Sequence, residues 1–174
     1  LDEVLPDAPV GPTVAKWDAI TQTFLPDDTF FGTGWFDGDF APSTTTLGPG
    51  EGAFINMASP GSLTFVGEIP QGSGPDALAV TIEPFFNILS QATPQAAGLA
   101  ATGLPASVGD TVAFWDRDLK AFEADLSYFG GGGSGWFDGD FNAVDPTPAV
   151  GESFFYNSAA AGTVSWERDF SIND

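Results

Sequence analysis

The sequence predicts an all-β protein built as two tandem homologous units, each a β-sandwich or barrel-like unit of short strands. Three observations predict it. The heptapeptide Gly-Trp-Phe-Asp-Gly-Asp-Phe occurs twice, at 34–40 and 135–141. Around it the chain falls into register with itself: a step of 101 carries Trp35 to Trp136, Phe54 to Phe155 and Phe65 to Trp166, and a step of 98 carries Trp17 to Trp115. Finally, 22 Gly and 14 Pro break the 174 residues into short apolar runs with no long helical periodicity, the pattern of many short strands joined by turns. A fixed internal period has to be read before any local feature, because it sets the architecture.

The elements follow in order. Residues 1–12 are turn-rich, with Pro6, Pro9 and Pro12. Residues 13–18 predict a strand, returned by 23–25 as a hairpin. Short extended pieces are expected at 29–31 and 34–36, a loop at 42–51, and strands at 52–57 and 62–69. In the last of these, Leu63 and Phe65 share one face. Residues 71–76 (Gln-Gly-Ser-Gly-Pro-Asp) read as a linker, so the expected division is a first unit at 1–70 and a second at 77–174. Strands at 77–83 and 85–90 and an Ala-rich stretch with a helical turn at 94–103 precede the repeat of the first order, at 111–116, 121–123, 153–157 and 163–172. The steps of 98 and 101 differ by three residues, placed in the Gly run at 130–133, where loop lengthening is cheap.

Composition bounds the function. Seventeen Phe and five Trp supply a large apolar payload, each buried ring being worth roughly 1.5–3 kcal/mol. The net charge is −20, from 24 acidic against 4 basic residues. Such a surface repels phosphate backbones and anionic headgroups, which excludes nucleic acid as a partner. No apolar run reaches about 18 residues, so no membrane insertion by a helix is expected. There is no Cys and no His, which removes disulfides, thiolate nucleophiles, imidazole bases and ordinary zinc sites. That poverty of oxidisable groups fits an exposed extracellular or cell-surface location. The chain opens on Leu rather than Met and is expected to be processed, trimmed or incomplete.

The stretches at 48–73 and 108–116 resemble a β-rich repeat of secreted bacterial surface proteins that has no assigned chemistry. Its members read V-x-x-W-D, then G-E-G-F-F-x-x-N, then T-V-T-F-V-G-E. Here these stand as Val14 to Asp18 and Val112 to Asp116, Gly50 to Asn56 and Gly151 to Asn157, and Leu63 to Glu68. The resemblance covers most of the chain and implies secretion and a surface module. The sharp Asp-Gly-Asp departs from the aromatic turn usual there.

The densest acidic motifs are Asp37-Gly38-Asp39 and Asp138-Gly139-Asp140. Two carboxylates flanking a Gly can face a hard cation, which makes Asp37, Asp39, Asp138 and Asp140 candidate calcium ligands. The other reading is a tight Asp-Gly turn, with Trp35, Phe36 and Phe40 as core beside it; that reading needs no ligand, and no other cofactor is expected. Glu51 and Glu152 occupy matched positions and could act as glycosidase carboxylates. Duplication of every candidate, with no other acid–base residue type, argues against an enzyme. Trp and Tyr could form a glycan platform. Their matched positions favour packing instead, so Trp17, Trp35, Phe54, Trp115, Trp136 and Phe155 are expected in the core.

These readings converge on a structural subunit of an extracellular bacterial surface assembly or filament. A secreted glycan- or calcium-binding module is the alternative. The strand at 85–90 lies upstream of Leu104-Pro105, which matches Leu5-Pro6, so the first unit lacks its opening strand. An open sheet edge invites strand addition from another subunit, and hence a homopolymer. The expected donor is the C-terminal overhang at 169–174 or residues preceding Leu1. The expected interface residues are Val164, Trp166, Phe170 and Ile172.

Overall fold

The computed structural model describes residues 1–131 and 133–172. Their regular structure is antiparallel β, apart from one 3-10 turn at Gly74–Asp76. The all-β expectation holds, and its cause is local. Threonine, Val, Phe and Trp recur in the short runs, and Gly or Pro follows about half of them within two residues.

In the first half, β1 (Thr13–Asp18) returns through β2 (Thr23–Phe24), then β3 (Asp28–Phe30), β4 (Trp35–Phe36) and β5 (Ala53–Asn56) follow. The sheet runs β4-β3-β1-β5, with β2 on the far end of β1. In the second half, β6 (Leu78–Ile82) and β7 (Phe85–Ser90) form an arm ahead of β8 (Thr111–Ala113), β9 (Trp115–Asp116), β10 (Ala121–Phe122), β11 (Leu126–Tyr128), β12 (Trp136–Phe137), β13 (Ala143–Val144), β14 (Ser153–Ser158) and β15 (Val164–Arg168). Its main sheet runs β13-β12-β11-β8-β14-β7, and β15 pairs β6 as a separate ribbon. The ribbon lies against the sheet, with the Trp166 and Phe154 rings 6.4 Å apart in one core.

The two halves use the same pairing registers. Thr13 faces Thr29 and Asn56; Thr111 faces Ser127 and Asn157. Phe30 faces Trp35 as Tyr128 faces Trp136, and Trp17 faces Phe24 as Trp115 faces Phe122. A one-residue slip would turn every side chain to the wrong face, so equal registers follow from equal apolar patterns.

Three expectations are corrected. Residues 62–69 form no strand, although their counterpart is β15. Strand pairing needs a partner; β15 has β6, and no described strand takes that place in the first half. The stretch at 71–76 is no free linker: Gly72 and Phe170 exchange backbone hydrogen bonds of 3.0 and 2.8 Å, and Asp169 accepts from the Gly74 amide at 2.8 Å. The expected overhang is therefore held within its own chain, and the Ile172 amide donates to Gln71. Asn173 and Asp174, also part of the expected overhang, lie outside the described residues, as does Gly132 of the Gly run.

Each half has its own core. The first holds Leu1, Leu5, Ala8, Val14, Phe30 and Trp35. The second adds Val80, Ile82, Leu89 and Trp166, all from β6, β7 and β15, elements for which the first half has no strand. At roughly 1.5–3 kcal/mol for each buried large side chain, that difference is a substantial part of a marginal stability.

Candidate functional site

The Asp-Gly-Asp loops close on themselves. The Asp37 carboxylate accepts from the amides of Asp39 (3.0 Å) and Ala41 (2.9 Å), and the Asp37 amide donates to the Ala41 carbonyl. Asp138 repeats this with Asp140 and Asn142, and the Asn142 side-chain amide adds a bond at 3.0 Å. That last bond, then the Asn142 backbone amide, holds the Asp138 carboxyl below its ordinary range. The first Asp of each motif is thus a turn former. Asp39 and Asp140 lie exposed at the loop tips, and no group of three acidic residues that could hold a metal ion occurs among the described residues.

Trp35 and Trp136 are buried, as expected. Phe40 is not: it is 74% exposed and Phe141 is 72% exposed, both with φ of +60°. A left-handed backbone is costly for a bulky residue. Stacking of Phe40 on Phe31 and of Phe141 on Phe129, each at 5.7 Å, offsets part of the cost.

Glu51 and Glu152 serve their loops. Each carboxylate accepts a backbone amide three residues upstream at 2.7 Å, from Gly48 and Ala149. Glu51 also pairs with Lys16 at 2.8 Å. An open cleft of about 650 Å³ runs beside this pair, between the β1–β2 hairpin and the β6–β7 arm. Its carboxylates are engaged: Asp18 accepts the Ile20 and Thr21 amides, and Glu83 accepts the Thr163 hydroxyl.

Trp17, Phe54, Trp115 and Phe155 hold the two halves together and are each half-buried there. The contacts are reciprocal. Trp17 meets Phe155 at 5.9 Å and its counterpart Trp115 meets Phe54 at 5.3 Å, while the equivalent pair Phe54 and Phe155 lie 6.0 Å apart. Reciprocity of residue i with j and j with i is the signature of a two-fold contact. Here it joins two halves of one chain. Edge-to-face pairs of this kind contribute about 0.5–1.5 kcal/mol each beyond their area.

That two-fold relation is broken at the β6–β7 arm. β7 pairs β14 along its length, and its other edge meets the first half, where the Gly52 amide donates to Ile88 and the Ser90 amide donates to Gly50. Val80 closes over Gly50 so tightly that a Cβ there would stand 2.2 Å from its Cγ2. None of this has a counterpart. β5 pairs β1 on one side only, and Gly151, the equivalent of Gly50, has nothing within 4 Å of a would-be Cβ. Phe65 is 54% exposed where Trp166 is 1% exposed. Val164, Trp166 and Phe170, expected at a contact between subunits, are instead used within the chain: the first two in β15 against β6, the third against Gly72. Only Ile172 of that set lies exposed.

One buried polar pair escaped the sequence reading. Asp110 accepts the Tyr156 hydroxyl and the amides of Ser107 and Ala159. Burial, then the Asp110 carboxylate, raises the Tyr156 hydroxyl well above the usual tyrosine range. The same positions in the first half are Pro12 and Ile55, and only that comparison of copies could have marked the pair.

No helix among the described residues is long and apolar enough to cross a membrane. No protein-family model, no curated protein and no solved structure matches the chain.

Proposed function

We propose that this chain is a non-catalytic structural subunit of an extracellular surface assembly, joined to its neighbours by addition of β-strands. The observation that carries this reading is the unequal fate of equivalent residues: Trp166 is sealed beneath β6, while Phe65, one repeat earlier, is open to solvent beside a strand paired on one side only. Natural sheets seldom leave a flat apolar edge uncovered. Main-chain pairing along such an edge supplies affinity, and pockets for alternate side chains supply specificity. The acidic surface keeps free subunits soluble. Because residues 169–172 are bonded to 71–74, the C-terminal strand is not the donor in this reading.

Sedimentation velocity and negative-stain imaging of the full-length protein test it. Concentration-dependent oligomers that grow head to tail are the expected result. A full-length protein that stays monomeric from about 1 to 100 μM, well above the dissociation constants of specific complexes, would overturn the proposal.

A further inference from the structure

Building on the strand-addition reading, we infer the occupant of the open edge: a second two-stranded arm of the β6–β7 type, supplied by a neighbouring polypeptide and seated at the position two-fold related to the chain's own arm. The reason lies in what already grips β6–β7. One side is β14 with β15; the other is the Gly50–Gly52 turn of the opposite half. The two-fold mates of both grips are present and hold no strand, although the Val66 amide donates to the Val4 carbonyl at 2.9 Å and Leu63 packs on the first core. β5 stands for β14, residues 63–67 for β15, and Gly151 to Ser153 for the turn. The latter loop is already shaped, since Glu152 closes it with the bond that Glu51 makes in its mate. Gly151 keeps the left-handed φ of Gly50, +75° against +85°, with open space where Gly50 meets Val80.

The register follows from the occupied site. Leu89 faces Phe154 and Asn87 faces Tyr156, so the incoming second strand sets a Leu89-like residue opposite Ala53 and an Asn87-like residue opposite Ile55. Ile82 faces Val164 and Val80 faces Trp166, so the first strand sets apolar residues opposite Leu63 and Phe65. The arm must be an additional one. Each copy, in its described residues, carries one such arm and two places for it, so exchange of 78–90 between copies fills no extra place, and the oligomers expected of the full-length protein need a donor arm other than 78–90.

The test is a labelled synthetic peptide of residues 78–90, with a charged solubilising tail, titrated into the 174-residue chain. The expected result is saturable 1:1 binding, with amide-exchange protection appearing at 53–57 and 63–67. A scrambled peptide should not bind. Phe65→Asp changes a half-exposed side chain, so the variant should still fold, with a urea midpoint only modestly below the parent's, yet lose at least tenfold in peptide affinity. Absence of binding overturns the inference. So does equal affinity for Phe65→Asp, which would mean that the peptide displaces the chain's own arm in the second half. Peptide binding by a protein whose full-length form is monomeric would keep the occupant and remove the assembly. Polymers of a protein that ignores the peptide would do the reverse.

Discussion

Replacing Trp166 and Phe65 by alanine in turn should give very different losses, although the two residues occupy one repeat position. Trp166 is sealed in the second core, and its indole N–H donates to the Thr102 carbonyl at 2.9 Å. Removing a buried Trp costs about 3–5 kcal/mol, and the orphaned carbonyl adds up to about 1–3 kcal/mol. Phe65 is half in water. About half of the burial value of a large side chain is at stake there, roughly 1 kcal/mol. With a urea dependence of about 2 kcal/mol per molar, Trp166→Ala should lower the midpoint by about 2 M and Phe65→Ala by about 0.5 M. Circular dichroism is the suitable probe, because one variant loses a fluorophore. Equal shifts would refute the reasoning. They would mean that residues 62–69 are covered in the free protein and that the first half has no open edge.

Two further outcomes concern the buried and exposed carboxylates. Tyr156→Phe removes one of three donors to a buried Asp110 and should cost about 1–3 kcal/mol in the same urea assay. Because the folded Tyr156 hydroxyl is raised, the stability it contributes is present below about pH 10, the unfolded tyrosine value, and declines as pH rises beyond it. An alkaline limb unchanged by the substitution would contradict this. Asn142→Ala removes the main bond that holds the Asp138 carboxyl low, so its NMR titration should move up toward the ordinary carboxylate range. The stabilisation from that bond is present above the unfolded value and is lost as pH falls through the folded one. A titration curve that does not move would remove the assigned cause.

The pairing scheme was legible in the sequence because two steps, 98 and 101, fix it. Once Thr13 is matched to Thr111 and Asn56 to Asn157, one set of ladders implies the other. The fate of residues 62–69 was not legible. Alternation of Leu63 and Phe65 states which face a strand would bury, but pairing is decided by a partner elsewhere in the chain. The aromatic seam was hidden for a related reason. Trp17 and Phe54 recur as packing residues would, and recurrence does not say whether they pack within a half or between halves. Phe40 was misjudged because an aromatic beside Asp-Gly reads as core; the loop instead turns it outward onto Phe31. The turn itself was legible, since Asp supplies the side-chain acceptor that such a loop needs.

The seam also bears on how a donor arm would bind. Association loses affinity wherever the receiving surface has to be ordered first. Here β5 is already laid down on β1, and the Trp17, Phe54, Trp115 and Phe155 contacts, together with the bonds of the chain's own β7 to Gly50, Gly52 and the Trp17 indole, fix it relative to the loop at 149–153 before any second arm arrives. That part of the site is preformed. Residues 62–69 are different, because they carry no strand pairing in the free chain. The incoming second strand would therefore dock on a finished edge, while the first strand would have to draw 63–67 into a ribbon. Coupled ordering of that kind lowers affinity for a given buried area. A variant that strengthens only the preformed edge contact should thus slow dissociation more than it speeds association, the usual division for changes within one interface.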